Sequence, residues 1–581
     1  MSANSRELCR YRARVIPPNT SSQTSEADPV TTEIIRRALN SAAKQMKRAA
    51  IRTSFSTVIY ESLDFCVVLY DRHVRLLAQA PTQPLFMGGM GFCIEAAVTA
   101  VGGEGALEPG DVIVYNQPYG TGSHAQDCAL VMPVFLKCGE LVGYAANKSH
   151  WLDIGAMAPY CTNTTDVYQE GVVIPGIKLY RGGKVNTDVY RLILANCRFK
   201  QAVEGDIHAQ LASLHVGARE LRRVIDRYGL ATFNTCVERM FDHGERVVRE
   251  FIQQVPDGVY RAACHMDDNG LDDKPLQFEV AVTIDGTNAC FDFSQVLDAQ
   301  RGPTNCPQPT TVCASRIALA MLAGKAHETP NEGYFRPLEV ITRPGSMFHP
   351  VDPQPCYLYG WPAFSAMEGM FEAFAKATGG AIPSGSAADM NALLFYGTRR
   401  DTGELFYYGC PLPVGHGALP HADGATLFLV SVAHAQTQPP ELQEAKLPVL
   451  FEKWELTPDS GGPGRFRGGC GWEMSFTTFE DVAVISTVER TKVPGWAQKG
   501  GLSGAPNRLT VDFADGHSET LRKVTDLPVP AGSRFHVCCG GGGGYGVPSE
   551  RDRAAVQHDL LNGLITEKHA REFYSHALRP D

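Results

Sequence analysis

The sequence lacks the marks of several large protein classes. It has no apolar run near the roughly 20 residues that a membrane span requires, no Cys-x-x-Cys pair, and no phosphate loop of the Gly-x-x-x-x-Gly-Lys-Ser/Thr type. The 53 Lys and Arg stand against 63 Asp and Glu, for a net charge of −10, and no basic face is clustered as in nucleic-acid-binding chains. We therefore expect no membrane span, no nucleic-acid partner and no P-loop.

The cysteine content points to a reducing compartment. The 17 cysteines are an odd number spread over 581 residues, unlike the dense framework of a small secreted protein. Residues 1–28 carry four arginines but no apolar segment, so a secretory signal is not expected. We expect mostly buried free thiols and a cytoplasmic location.

The composition predicts a globular protein rich in turns. Hydrophobic residues make up 44% of the chain and charged residues 20%, which excludes wholesale disorder. The 57 glycines and 37 prolines are about 16% of the chain, above the background of roughly 12%, and they follow no period. The length alone would suggest three to four domains.

We expect a mixed α+β fold with several parts. They are a flexible tail over residues 1–28, a β-hairpin-rich domain over 29–256, a central α/β domain over 257–400, and a Gly-rich, mostly β domain over 401–581 that ends in a helix. Helical periodicity predicts helices over Thr32–Thr53 (capped by Asp28 or Thr31), Phe92–Val101, Asp206–Tyr228, Leu230–Val255, Thr311–Ala323, Ser365–Thr378 and Arg551–Leu578.

One predicted hairpin carries candidate metal ligands. Strands over Cys128–Phe135 and Leu141–Lys148 flank a turn, and if that turn centres on positions 138 and 139, Asp127 faces His150. Opposed residues have Cβ atoms roughly 4.5–5.5 Å apart, and His124 in the preceding Gly-rich loop can reach the same point. Oxygen and imidazole donors suit Zn, Mn or Fe(II), and three ligands leave positions open for water.

Spacing alone leaves ordinary alternatives open. His124 and His150 can be unremarkable loop and strand-end residues, and Asp64, which opens a hydrophobic strand, can be a cap or strand-end carboxylate. Asp153 can orient an imidazole or simply belong to a loop.

The glycine clusters are weak indicators of ligand binding. The Gly-x-Gly-x-x-Ala match at Gly120–Ala125 lacks the helix of a dinucleotide fold, and the match at Gly541–Gly546 is plain polyglycine. Tight turns explain Ser460–Gly469 better than anion binding at Arg465 and Arg467.

Taken together, the motifs resemble the hydantoinase B/oxoprolinase family, the B-type subunits of ATP-dependent lactam and hydantoin amidohydrolases, related to acetone and acetophenone carboxylases. The matching segments run in order over about 90% of the chain. They include Glu61-Ser-Leu-Asp-Phe, Gly110-Asp-Val-Ile-Val-Tyr-Asn-Gln-Pro-Tyr, Gly122-Ser-His-Ala-Gln-Asp, Asn147-Lys-Ser-His-Trp-Leu-Asp-Ile-Gly, Gly205-Asp-Ile-His-Ala-Gln, Pro458-Asp-Ser-Gly-Gly-Pro-Gly-Arg-Phe-Arg-Gly-Gly and the Gly540–Gly546 run.

The resemblance implies one divalent metal ion, Zn or Mn, with Asp64, His124, Asp127 and His150 as ligands. Two positions depart from the family pattern, because Trp151 follows His150 where a second His is common, and Ala125-Gln126 replaces Leu-Pro. These departures bear on the substrate more than on the metal.

The resemblance also implies a reaction and a partner. An A-type subunit with an actin-like ATPase fold would bind ATP and activate a cyclic amide or bicarbonate, in an (αβ)2 hetero-oligomer. This chain would open the lactam, hydantoin or 5-oxoproline ring, with Asp153 as a candidate to orient a ligand or accept a proton. Two alternatives are a ketone carboxylase subunit and a non-catalytic scaffold for the ATPase.

Overall fold

The computed structural model describes residues 8–15, 28–324, 329–388, 391–427 and 437–578. It confirms the predicted mixture of helices and sheets, with four sheets in the described part of the chain. No helix of the described segments is long and apolar enough to span a membrane. All 17 cysteines lie within these segments, and none of them forms a disulfide.

The first sheet has seven strands and carries the predicted hairpin. In spatial order its strands are Leu76–Gln79, Phe65–Asp71, Leu141–His150, Asp127–Phe135, Val112–Tyr115, Ile177–Arg181 and Lys184–Val185. The strand Phe65–Asp71 is buried at every position, because helices cover both faces of the sheet.

Two cores pack on the two faces of this sheet. On one face, helix Pro29–Thr53 packs against helix Lys200–Tyr228, and Val67 and Leu69 point into their core. Asp28 caps the first of these helices by accepting the N–H of Thr31. On the other face, Val68 joins a larger core with residues from the central part of the chain.

The second sheet contains a strand in a segment for which the sequence predicts a flexible tail. Its strands are, in spatial order, Cys9–Arg12, Leu338–Thr342, Asn288–Asp292, Leu276–Asp285 and Gly258–Met266. Cys9–Arg12 lies within the predicted flexible tail, but it pairs with Leu338–Thr342, and Arg10 and Arg12 form ion pairs with Glu339. Because arginines alternate along this strand, its sequence resembles that of a polar tail. Residues 1–7 and 16–27 of that tail lie outside the described residues.

The C-terminal part contains two further sheets. One consists of Leu405–Pro411, Ala392–Thr398, Val482–Thr487 and Lys523–Val529. The other consists of Val449–Leu456, Trp472–Thr478, Arg534–Cys538, Arg508–Asp512 and Ser518–Leu521. The domain boundaries near 256 and 400 stay predictions.

The helices agree with the predicted periodicity, although their ends differ. Besides the two named above, those of seven or more residues are Met90–Ala100, Thr187–Ala195, Leu230–Ile252, Gln308–Ala323, Gly360–Ala377, Pro440–Lys446, Arg553–Leu561 and Glu567–Phe573. The predicted C-terminal helix over Arg551–Leu578 is therefore two helices. The loop Gln117–Gln126 also contains a short helix, Pro118–Thr121.

Candidate metal centre and its cavity

The hairpin has the register that the sequence predicts. Asp127 pairs directly with His150, and the same register continues to Val134 opposite Gly143. A shift between Val134 and Phe135 then accommodates the turn. The two candidate ligands therefore meet at the open end of the hairpin, away from its turn.

Three donor atoms converge at this end. His124 Nε2 lies 3.1 Å from Asp127 Oδ1, His150 Nδ1 lies 3.0 Å from the same oxygen, and the two ring nitrogens lie 3.0 Å apart. Ligands about 2.0–2.2 Å from one ion and at right angles to each other are about 3 Å apart. The three buried side chains thus have the spacing of neighbouring ligands of one divalent ion.

Hydrogen bonds orient two of these side chains. His124 Nδ1–H donates to the carbonyl oxygen of Tyr357 at 2.9 Å, which leaves the Nε2 lone pair pointing at the other donors. The Tyr359 hydroxyl donates to Asp127 Oδ2 at 3.1 Å, which leaves Oδ1 toward the histidines. Partners of this kind hold metal ligands in place in many proteins.

The electrostatics match a cation-binding cluster. Burial alone would raise the pKa of Asp127, but the charge and hydrogen bonds of His124 and His150 outweigh it and hold that pKa well below its ordinary value. Burial works against the charged form of His150, yet its hydrogen bond to Asp127, with the charges of Asp127 and Asp64, raises its pKa. The cluster thus holds carboxylate charge that attracts cations.

Asp64 lies beside the three donors without joining their triangle. Its backbone oxygen accepts the N–H of His150 at 3.1 Å, and its Oδ1 accepts a long hydrogen bond from Gln83 Nε2 at 3.4 Å. Its side chain lines the same cavity as His124 and His150. Burial, and to a lesser degree the charge of Asp127, raise the pKa of Asp64. Its predicted role as a fourth ligand stays a prediction.

The structure does not bring Asp153 to this site. Its buried carboxylate forms an ion pair with the Arg198 guanidinium at 2.7 Å. It also accepts hydrogen bonds from the backbone N–H groups of Arg198 and Gly155. It is absent from the described residues that line the cavity. These contacts favour a role in holding the loop after His150, so they do not favour the predicted catalytic role.

A cavity of about 120 Å³ is lined by two of the three donor residues, His124 and His150, together with Asp64. One water needs roughly 10–15 Å³ by this measure, so the space suits a small organic molecule. Several lining side chains cannot be predicted from the sequence, because they come from distant segments with no local motif. They are Gln83, Tyr160, Tyr359, Trp361, Asn391 and Tyr407.

Comparison with known proteins agrees with the resemblance in the motifs. The model of the hydantoinase B/oxoprolinase family matches residues 28–548. The beta subunit of caprolactamase from Pseudomonas jessenii is 30% identical over 573 residues, covering 94% of this chain and 96% of that subunit.

Solved structures share the fold. The crystal structure of ATP-dependent caprolactamase from Pseudomonas jessenii has a TM-score of 0.86 at 27% identity, covering 94% of this chain and 96% of that one. The nucleotide-free structure of acetone carboxylase has a TM-score of 0.84, covering 94% of this chain and 79% of that one. Its identity is 18%, so that likeness concerns the fold alone.

Proposed function

The chain belongs to the hydantoinase B/oxoprolinase family, and on that premise we propose that it is the metal-binding catalytic subunit of an ATP-dependent cyclic-amide amidohydrolase. The observation that carries the proposal is the triangle of His124 Nε2, Asp127 Oδ1 and His150 Nδ1, with edges of 3.0–3.1 Å, whose two histidines line a cavity. The similarity to the caprolactamase beta subunit supports the substrate class.

The residues of the site fit a divalent ion. Two imidazole nitrogens and one carboxylate oxygen, with Asp64 as a nearby fourth group, are donors suited to Zn or Mn. A bound ion of this kind polarises a carbonyl oxygen and lowers the pKa of bound water. The chain's own residues do the rest: His124 is held by Tyr357, Asp127 is held by Tyr359, and apolar side chains form part of the cavity wall.

We propose that ATP is bound elsewhere, on an A-type partner subunit. Relatives are named as beta or B subunits, which supports a partner, and the sequence has no P-loop. Opening an unstrained amide ring can be uphill, so the partner would phosphorylate the amide oxygen, or bicarbonate, before this chain acts. We expect an (αβ)2 complex in the cytoplasm, where the 17 free cysteines would stay reduced.

The test is co-expression with an A-type partner. We expect purified complex to hold one Zn or Mn per chain by elemental analysis and to couple ATP hydrolysis to ring opening of a lactam or hydantoin. His124→Ala and His150→Ala should lose both the metal and the product. His215→Ala, at an exposed histidine of helix Lys200–Tyr228, is the matched control and should keep both.

The same assay separates the alternatives. A ring-opened amino acid supports the amidohydrolase, whereas a β-keto acid formed from a ketone would identify a carboxylase. A His124→Ala complex that turns over at the wild-type rate without metal would contradict the metal-dependent role and leave the chain as a scaffold.

A further inference from the structure

Part of the cavity wall comes from the C-terminal part of the chain. It is the hairpin of strands Ala392–Thr398 and Leu405–Pro411, here called the wall hairpin. Five lining residues alternate along these strands, as side chains alternate between the faces of a sheet. They are Ala392, Leu394, Tyr407, Gly409 and Pro411, and Cys410, which also belongs to the C-terminal core, borders the cavity as well.

Pairing within the wall hairpin places two of these residues side by side. Leu394 pairs with Gly409, and Ala392 pairs with Pro411. The residues between them, such as Leu393, point into the separate C-terminal core, which anchors the hairpin. The wall is therefore an apolar surface on a rigid element.

Apart from the proposed metal ligands, the lining of the cavity is poor in cationic groups. No lysine or arginine is among the described residues that line it, whereas Asp64 is. The polar groups that remain are neutral, such as Gln83, Asn391 and the tyrosine hydroxyls. An anionic ring substituent directed away from the metal ligands would lose its hydration without gaining a cationic side chain.

We propose that this cavity selects a cyclic amide whose ring carries no charged substituent, and that the wall hairpin sets the ring size it accepts. The inference rests on the proposed function and narrows it: unsubstituted lactams and hydantoins fit the lining, and rings that carry a carboxylate, such as 5-oxoproline, do not. The polar edge of the ring faces His124 and His150, and its hydrocarbon edge packs on Leu394 and Gly409.

Gly409 is the position at which an added side chain would reduce the space in the cavity. A Cβ at this position would lie 3.1 Å from Tyr407 Cε1 and 3.2 Å from its hydroxyl oxygen. That spacing is tight, so the tyrosine ring of a Gly409→Ala variant must shift, and a methyl group is added on the cavity face. A difference of one methyl or methylene group in an apolar pocket changes binding by roughly 10–200-fold.

The charge arm of the test uses two probes with the same ring. The metal-loaded complex with its partner is titrated, without ATP, with 2-pyrrolidinone and with 5-oxoproline, which differs from it by one carboxylate. We expect 2-pyrrolidinone to bind at least about tenfold more tightly, because burial of an uncompensated charge is costly. Equal or tighter binding of 5-oxoproline overturns the inference, as does failure of every uncharged ring to bind.

The size arm uses 2-pyrrolidinone and ε-caprolactam on the wild-type and Gly409→Ala complexes. We expect the substitution to weaken ε-caprolactam about tenfold or more, the low end of the effect of one methyl group. The smaller 2-pyrrolidinone should bind nearly as in the wild type. Leu405→Ala, at a half-exposed position of the same hairpin outside the cavity, is the matched control and should change neither. Equal weakening of both rings by Gly409→Ala overturns the role of the wall.

These binding arms are independent of turnover. A complex that binds uncharged rings selectively but does not couple them to ATP contradicts the proposed function and leaves the selectivity standing. A complex that opens 5-oxoproline as well as 2-pyrrolidinone supports the function and contradicts the selectivity.

Discussion

The hairpin site and the glycine-rich region of the C-terminal part achieve order by opposite means. At the hairpin site, His124, Asp127 and His150 are placed by what their side chains contact. In the glycine-rich region, extended segments lie against one another and form many backbone-to-backbone hydrogen bonds. Gly462 N–H donates to Gly542, Gly542 N–H to Gly469, and Gly469 N–H to His416.

In this region, here called the glycine bundle (residues 415–417, 461–469, 501–504 and 540–544), the glycines pack so closely on neighbouring backbone that a Cβ atom would not fit at them. A Cβ at Gly542 would lie 2.0 Å from the carbonyl oxygen of His416, and one at Gly468 would lie 1.9 Å from that of Gly542. Because backbone atoms cannot move aside as a flexible side chain can, glycine is required for close approach. Side chains therefore determine the geometry of the hairpin site, whereas their absence at the glycines allows the close packing of the bundle.

The largest expected effect comes from adding one methyl group to the bundle. Gly542→Ala should prevent folding or cost more than about 4 kcal/mol of unfolding free energy, since a Cβ would overlap backbone atoms of two residues. The measurement is soluble yield and denaturant unfolding.

The control is a glycine in open space. Gly105 has no atom within 4 Å of its Cβ position, so Gly105→Ala should stay within about 0.5 kcal/mol of wild type. A stable Gly542→Ala protein would break the contrast, because the bundle would then tolerate side chains.

The second expected effect is a loss of metal binding at the hairpin site without a loss of folding. Asp127→Asn keeps the shape of the side chain but removes the negative charge that a divalent ion requires. We expect a folded protein whose Zn or Mn affinity falls by about a hundredfold or more, given that even partners of ligands contribute 10–100-fold. Metal titration and circular dichroism measure the two properties.

Asp515→Asn is the matched control for this change. Asp515 also contacts a histidine, His517, but this pair lies exposed on the surface. Its substitution should leave metal content unaltered. If Asp127→Asn unfolds the protein, then the site is a structural element like the bundle and the comparison fails.

A third change tests the hydrogen bond from Tyr359 to the candidate ligand Asp127. Tyr359→Phe removes the hydroxyl that donates to Asp127 Oδ2 at 3.1 Å, and we expect metal affinity to fall about 10-fold. Tyr396→Phe is the control, since Tyr396 donates to the exposed Asp526 at 2.8 Å. Equal metal affinity in the Tyr359→Phe and wild-type proteins would mean that the strand alone positions Asp127.

The two regions also differ in how far the sequence predicts them. The opposition of Asp127 and His150 follows from index arithmetic on one hairpin, because both residues belong to a local element with a regular period. Tyr359 could not be predicted, since it lies more than 200 residues from Asp127 and follows no motif. The sequence predicts only tight turns in the bundle, because glycine has no side chain from which a pattern of packing can be inferred.

Glu170 is an intermediate case, in which a buried side chain organises backbone. Its Oε1 accepts the N–H groups of Cys356 and Tyr357 at 2.7 and 2.8 Å, and the Tyr357 carbonyl in turn accepts from His124. Burial raises the pKa of Glu170 to about 8, although hydrogen bonds from Thr164 and the two backbone groups oppose the shift. The folded protein therefore keeps a proton on Glu170 at neutral pH.

The smallest expected effect is a change in the pH dependence of stability. The native carboxyl binds a proton between its ordinary pKa of 4.5 and about 8, and the unfolded one does not, so its contribution is complete below about pH 4.5 and is lost as pH rises through 8. The slope amounts to at most about 1.4 kcal/mol per pH unit. Glu170→Gln, which is neutral at every pH and keeps an oxygen for both N–H groups, should leave stability near wild type at pH 5 and remove this slope. Denaturant unfolding at pH 5, 6, 7 and 8 measures it. An unchanged slope in Glu170→Gln would mean that Glu170 is ionised in the folded protein, and that the backbone at Tyr357 is held by a charge rather than by a neutral acid.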